Sequence, residues 1–246
     1  MSSYDCYDQQ GEYHAGGFPN DAIGLDEWRG LLEELDRLQE PRDQDTYEDP
    51  LLALRLLHRE REQNLQLRCP RVFVSHRQCD KDEALRVAWL ANAEKFDYWL
   101  DIVDPKIAAA SLKRDLTAYQ QAILLAAIIE MALLNCTHVV AVMTKNVPGT
   151  MWMPYEYGRV KDSTLTSLRI AAWFDQSWQL SNIAEYFHLG QKLYSDPAVR
   201  YWLKRQFTHW TTTGVATGAA CPSTSWPLPE EPAPLQDSSS IYVDGN

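Results

Sequence analysis

The chain has 246 residues, 45% of them hydrophobic, which allows one full-sized core with a small helical attachment rather than two large domains. Acidic residues outnumber basic ones by 34 to 23, and the formal net charge of -11 would repel a phosphate-rich polymer, so no nucleic-acid partner is expected. The five cysteines contain no CxxC pair, and their odd number leaves one unpaired in any complete disulfide scheme, which favours a reducing cytoplasm.

The first segment, residues 1–24, mixes Tyr, Gly, Asp and Gln without apolar periodicity, which predicts a mobile arm. It has no basic start followed by an apolar stretch, so we expect no secretory signal. The longest apolar run, residues 122–129, falls far short of the ~20 residues that cross a bilayer, and it indicates a core helix. The sequence therefore predicts a cytoplasmic protein that has no membrane partner.

Residues 25–68 carry apolar side chains at helical spacing in two stretches. The first stretch runs through Trp28, Leu31 and Leu35, and the second begins at Pro50. The segment contains no clustered histidines, cysteines or carboxylates. We predict an N-terminal helical extension made of two acidic amphipathic helices, which is either packed on the main domain or used to bind a partner.

From residue 69 to about residue 210, short apolar runs alternate with helical patterns, which predicts an α/β domain with a central parallel sheet and helices on both faces. We predict strands near residues 71–75, 96–102, 138–143 and 167–173. Helices are expected through residues 84–90 and 116–134, from Trp152 onwards, and around residues 181–189 and 197–207. Residues 211–246 are rich in Thr, Ser, Pro, Gly and Ala, and a disordered tail is predicted there.

Several kinds of chemistry lack their sequence signatures. The chain contains neither GxGxxG nor GxxxxGK[ST], the glycine-rich loops that hold dinucleotide and nucleotide phosphates. Its six histidines form no HExxH, and no Cys/His cluster completes a zinc site. We therefore expect neither a metal ion nor a cofactor.

Polar residues follow the predicted strands at their carboxyl ends, where doubly wound sheets bind their ligands. After the first and second strands, and on the helix after the third, these residues are Ser75, His76, Arg77, Asp101, Asp104, Trp152 and Glu156. A site for a small polar substrate is predicted at this edge of the sheet.

Three segments around these positions resemble motifs of Toll/interleukin-1 receptor (TIR) domains. FVSHR is similar to the opening strand of that family, and DYWLDIVDP to its second strand and following loop. GTMWMPYEYGRV resembles its Ser/Thr-x-Trp-x-x-x-Glu segment. The motifs occur in the family's order and the resemblance covers some 140 residues, so it implies a flavodoxin-like TIR domain over residues 69–210.

The resemblance also implies an activity. Bacterial TIR proteins of this sort commonly cleave the N-glycosidic bond of NAD+, and some, as in Thoeris-type antiphage systems, convert the product into a signalling nucleotide. NAD+ would then be a substrate and not a cofactor, self-association would organise the site, and a downstream effector would sense the product. The chemistry is reasonable, because nicotinamide is a cationic leaving group whose departure leaves an oxocarbenium-like ribose that a carboxylate can stabilise.

The catalytic acid has two candidates. Glu156 matches the Glu of the Thoeris TIR motif, and its segment also resembles the catalytic-Glu segment of nucleoside deoxyribosyltransferases; the alternative is a carboxylate favoured only by the helix dipole. In animal and plant TIR hydrolases, the catalytic Glu precedes the third strand, where this chain has Leu124 and Leu125. Glu130 is the nearest acid there, either as a second acid of the site or as a structural residue at the wet edge of the helix.

The remaining candidates have assigned roles with structural alternatives. Trp152 could stack on a base or on nicotinamide, or simply pack at the start of its helix. His76 and Arg77 could contact phosphate or ribose. Phe73 is expected in the core with one edge towards the substrate, while Asp101 and Asp104 are expected mainly to order the loop after the second strand.

Two other functions stay open. A catalytically silent TIR adaptor would assemble through its loop and helices and would not consume NAD+. An enzyme similar to the deoxyribosyltransferases would exchange bases on nucleosides or nucleotides without NAD+ turnover.

Overall fold

A computed structural model describes the α/β part of the chain and a short segment near the carboxyl terminus. The described residues are 70–104, 107, 117–134, 136–148, 152–159, 169–175, 184–212 and 231–237. The predicted arm over residues 1–24 and the predicted helical extension over residues 25–68 lie outside this described part.

Five strands form one parallel sheet. In chain order they are β1 (Arg71–Ser75), β2 (Asp97–Trp99), β3 (His138–Met143), β4 (Ile170–Phe174) and β5 (Gln191–Leu193). Their order in space is β2-β1-β3-β4-β5, which is one of the two common orders of doubly wound sheets. Every residue of β3 and β4 is buried, as expected for parallel strands that are covered on both faces.

Four described α-helices cover the sheet. They are α1 (Lys81–Ala93), α2 (Ala118–Leu134), α3 (Trp152–Arg159) and α4 (Asp196–Thr212). Short 3₁₀ turns follow β1, β2 and β4, at Gln78–Asp80, Asp101–Val103 and Glu185–Leu189. No described helix is long and apolar enough to span a bilayer, and α2, the most apolar of them, has 17 residues.

The core has two halves, one on each face of the sheet. Successive side chains of a strand point to opposite faces. Val72 and Val74 of β1 therefore pack in one buried cluster with α1 and α4, whereas Phe73 packs in the other cluster with α2 and α3. This arrangement confirms the predicted α/β class, in which a parallel sheet carries helices on both faces.

Two strands differ from the sequence prediction. β2 was expected over residues 96–102, but it ends at Trp99 because the chain turns into the 3₁₀ turn Asp101–Val103. β5 was not predicted at all. It is a three-residue strand of which only Leu193 is fully buried, so it lacks the apolar run from which buried strands are recognised.

The carboxyl-terminal region also differs from the prediction. A disordered tail was expected over residues 211–246, yet α4 continues to Thr212 and residues 231–237 pack on the domain. Leu235 is 7% exposed within the cluster of α1 and α4. A single apolar residue in a segment rich in proline gives no periodic pattern, which is why the sequence did not indicate this docking.

In a reducing compartment the cysteines are expected to be free thiols, and one of the described cysteines is not. Cys136 is a free, buried thiol, whereas Cys79 is disulfide-bonded. The cysteine count therefore gives no support of its own to the cytoplasmic prediction.

Gly190 provides a test of how tightly β5 packs on the helix layer. A Cβ at this position would overlap the hydroxyl of Tyr157 and lie 2.9 Å from the carbonyl oxygen of Ile170. Because Tyr157 is 1% exposed and cannot swing into solvent, we expect Gly190→Ala to lower the free energy of unfolding by about 1–3 kcal/mol. Urea denaturation measures this change.

Gly158→Ala is the matched control, since nothing lies within 4 Å of a Cβ there. Gly158 is inside α3, where alanine is more favourable than glycine by about 0.5–1 kcal/mol. A Gly190→Ala protein as stable as the wild type would contradict the packing described for β5.

Candidate functional site

The carboxyl ends of β1 and β3 lie at the topological switch point of the sheet, the place that is called the crevice in doubly wound folds. After β1 the chain continues into α1 on one face of the sheet, and the helix that follows β3, α3, packs on the other face. The two connections diverge between the neighbouring strand ends, and doubly wound sheets bind ligands at this place. Residues from β1, from the turn after β2 and from α3 meet there.

Glu156 lies one turn into α3 and points back to the end of β1. Its side chain is buried, and Oε2 accepts a hydrogen bond of 2.5 Å from the hydroxyl of Ser75. Trp152 precedes Glu156 by four residues and so lies on the same side of the helix. The structure thus brings together two residues, Ser75 and Glu156, that the sequence analysis assigned to one site.

The environment of Glu156 changes its acidity. The pKa of the Glu156 carboxyl is raised to about 7. Burial away from water raises this pKa most, the hydrogen bond from Ser75 lowers it, and the negative charge of Asp101 adds a smaller increase. Desolvation is the largest of these effects, so the group is poised between its two protonation states near neutral pH. A carboxyl poised in this way at a strand-end crevice is typical of a functional acid or base.

His76 and Asp101 form a second polar pair beside this carboxylate. His76 Nδ1 lies 3.3 Å from the carbonyl oxygen of Val74, and Nε2 lies 3.4 Å from Oδ1 of Asp101. The other oxygen of Asp101 accepts a 2.6 Å hydrogen bond from the amide of Gln78. Within the described part of the chain, neither His76 Nε2 nor Asp101 Oδ1 has a hydrogen-bond partner although both are buried. Each of these two atoms has the other as its neighbour at 3.4 Å, so the pair is a buried polar contact beside Glu156.

Arg77 and Trp152 lie at the border of the crevice. Both are half-buried. The ring of Trp152 meets that of Tyr155 edge to face, with 6.0 Å between the centroids. Arg77 is the residue before the 3₁₀ turn Gln78–Asp80, and its carbonyl oxygen accepts a hydrogen bond from the Asp80 amide. Neither side chain is enclosed in the core.

Phe73 and Asp104 belong to the packing beneath the crevice. Phe73 is 1% exposed and stacks on Trp99 with 4.6 Å between ring centroids, so the edge that was expected to face the substrate is covered. The indole of Trp99 donates a 2.7 Å hydrogen bond to Asp104, which agrees with the loop-ordering role expected for this carboxylate. Asp101, in contrast, lies close enough to Glu156 for its negative charge to raise the pKa of the Glu156 carboxyl.

Glu130 is placed differently from Glu156. It was expected at the wet edge of its helix if its role is structural, yet it is 5% exposed. Its carboxylate accepts a hydrogen bond from the hydroxyl of Tyr155, which joins α2 to α3.

Three polar residues that the sequence analysis did not assign to the site connect its loops. Asp80 is buried, accepting hydrogen bonds of 2.8 Å from the Thr144 hydroxyl and 2.5 Å from the Asn146 amide. These bonds join the turn after β1 to the turn after β3. Gln78 was missed as well, and only the position of these residues just after strands could have indicated them. Across the described residues, no group of three or more His, Cys, Asp or Glu side chains could hold a metal ion.

The burial of Glu156 makes the stability of the protein depend on pH. Because folding raises the pKa of this carboxyl from 4.5 to about 7, the protonated form contributes stability that is complete below about pH 4.5 and is lost as the pH rises through 7. Because the side chain of Glu156→Gln cannot ionise, we expect the free energy of unfolding of the variant to rise relative to that of the wild type between pH 5 and pH 8, by up to about 3 kcal/mol. Urea denaturation of both proteins at pH 5 and pH 8 gives the difference between their free energies of unfolding. If this difference is the same at the two pH values, ionisation of Glu156 does not destabilise the folded protein.

Comparison of the chain with protein-family models, with curated proteins and with solved structures found no match. What the site does is therefore inferred from its own residues and from the motifs that they form.

Proposed function

We propose that this chain is a TIR-type enzyme that cleaves the bond between nicotinamide and ribose in NAD+, with Glu156 as the catalytic carboxylate. The observation that carries the proposal is the burial of Glu156 against Ser75 at the crevice between β1 and β3. The strand order is also that of flavodoxin-like folds, to which the resemblance of the sequence motifs to TIR domains points.

The chemistry requires a negative charge next to the anomeric carbon. When the bond to nicotinamide breaks, the positive charge moves from the pyridinium ring to the ribose, and a carboxylate on that face of the sugar stabilises it. The low polarity around Glu156 strengthens this attraction, because little water screens it. The hydrogen bond from Ser75 to Oε2 orients the carboxylate and leaves Oε1 to face the sugar.

The other residues at the crevice fit the remaining parts of NAD+. Trp152 could stack on nicotinamide one helical turn before Glu156. The pair of His76 and Asp101 could bind the ribose hydroxyls as donor and acceptor if the two side chains separate. Arg77 could pair with the diphosphate.

The product depends on what captures the ribosyl cation. Water would give ADP-ribose, whereas a nucleophilic atom of the same molecule would give a cyclic nucleotide. We propose that the product is a signal read by a downstream effector in bacterial antiphage defence, in the cytoplasm, where NAD+ is available.

A deoxyribosyltransferase-like enzyme is the second candidate, favoured by the same observation. A carboxylate held by one hydroxyl could attack the anomeric carbon of a nucleoside, break its N-glycosidic bond and release the first base. The covalent glycosyl intermediate is then attacked by a second base, which forms a new N-glycosidic bond and frees the carboxylate. Such an enzyme would exchange bases and leave NAD+ intact.

Replacement of the catalytic carboxylate tests the proposal. Glu156→Gln keeps the size of the side chain and its bond to Ser75 but removes the charge, so NAD+ turnover should fall by about 10²-fold or more. The measurement is mass analysis of all adenine-containing products after incubation of purified protein with NAD+, with and without a candidate phage trigger.

Glu130→Gln is the matched control, since Glu130 is a buried carboxylate on the neighbouring helix that contacts Tyr155. It should change stability more than turnover. If Glu130→Gln loses NAD+ cleavage in a folded protein while Glu156→Gln keeps it, α2 carries the catalytic acid. If the triggered wild type never consumes NAD+, base exchange on nucleosides identifies the transferase, and the absence of both activities favours the silent adaptor.

Self-association generates a further expectation. TIR enzymes commonly organise their sites through contacts between copies, and the resemblance places residues 103–110 in the segment that the family uses; most of this segment lies outside the described residues. We expect specific activity to rise with protein concentration, because the associated form is the active one. Specific activity that stays constant over a hundredfold dilution would indicate a self-sufficient monomer.

A further inference from the structure

Residues 231–237 lie against the surface formed by α1 and α4. They contain no helix or strand. Among them only Leu235 is buried, and Pro232 is half-buried, while the others are exposed. The segment is therefore held by a few side-chain contacts and not by a ladder of backbone hydrogen bonds.

Arg86 of α1 makes most of these contacts. Its Nε and Nη2 donate to one oxygen of Asp196, at 2.9 and 2.5 Å, which fixes the guanidinium on the surface of the domain. Its Nη1 then donates to the carboxylate of Glu231 at 2.8 Å and to the carbonyl oxygen of Pro232 at 2.9 Å. The guanidinium also lies 4.5 Å from the centroid of the Trp89 ring, which limits its movement. A planar donor group fixed in this way can donate hydrogen bonds to a carboxylate and to a carbonyl oxygen at the same time.

Asp196 provides the second contact. While Oδ2 binds Arg86, Oδ1 accepts a 3.1 Å hydrogen bond from the backbone amide of Leu235. The Leu235 side chain enters the apolar cluster of α1 and α4. The surface thus recognises an acidic side chain, a carbonyl group, an amide and an apolar side chain at fixed positions of one extended peptide, as peptide-binding domains do.

We propose that Arg86, Trp89, Asp196 and the apolar cluster beneath them form a peptide-binding site for an acidic, proline-containing segment of the form Glu-Pro-x-Pro-Leu, which the chain's own residues 231–237 occupy. The partner that fits is the same segment of a second copy of the chain, because residues 231–237 already match the surface in charge, hydrogen bonding and apolar contact. The site faces away from α3 and Glu156, so the proposal is independent of the proposed function.

The test uses the full chain and a fluorescent peptide that carries residues 231–237. In the wild type the covalently attached segment competes with the peptide at high effective concentration. Leu235→Glu releases that segment, because a charged side chain would not stay in the apolar cluster. We expect the variant to bind the peptide at least about tenfold more tightly than the wild type, as measured by fluorescence anisotropy.

Two controls keep the result specific. A peptide with the changes Glu231→Gln and Leu235→Ala should not bind, since it lacks both the charge and the apolar anchor. Leu235→Ala in the full chain gives a milder release and is used if thermal melting shows that Leu235→Glu is unfolded. The proposal is overturned if the folded variants do not bind the peptide, or if they bind it no more tightly than the wild type does.

Discussion

The parallel pairing of β1 with β3 is the constraint on which the site depends. Parallel strands place all their carboxyl ends at one edge of the sheet, so every connection leaves from that edge. β1 lies between β2 and β3, and the helices that follow β1 and β3 pack on opposite faces. The connections that leave β1 and β3 therefore diverge at this edge, and Ser75, at the last position of β1, faces the helix that carries Glu156.

The same geometry explains the unusual state of Glu156. Helix α3 is short and lies over the sheet at its carboxyl edge, so a side chain one turn from its start points into the crevice and not into bulk water. A carboxylate there exchanges the hydration of water for a single hydroxyl, and its charged form becomes unfavourable. The two large apolar clusters on the faces of the central strands stabilise the fold and offset the unfavourable free energy of the buried carboxylate. A carboxylate that has lost its hydration attracts a cationic ligand more strongly than a carboxylate surrounded by water does.

The helix layers on the two faces of the sheet support different features of the protein. The layer of α2 and α3 supports the crevice, with the contact between Glu130 and Tyr155 joining its two helices. The layer of α1 and α4 carries the docked segment through Arg86 and Asp196. The sheet lies between the two layers, and β1, β3 and β4 each contribute alternate side chains to both.

The sequence by itself determined the α/β class, the cores of β1, β3 and β4, and the helices α1 to α4. Apolar periodicity is a local signal, so it can be recognised without knowing which parts of the chain pack together. It also marked Ser75 and Glu156 as candidates, through their positions after strands and their motifs. Only the tertiary structure decided that these two residues, 81 positions apart, share a hydrogen bond, and that Glu130 instead contacts Tyr155. It likewise decided the edge strand β5 and the docking of residues 231–237. Such features depend on surfaces built by distant parts of the chain, and a short half-exposed segment carries no local pattern that specifies them.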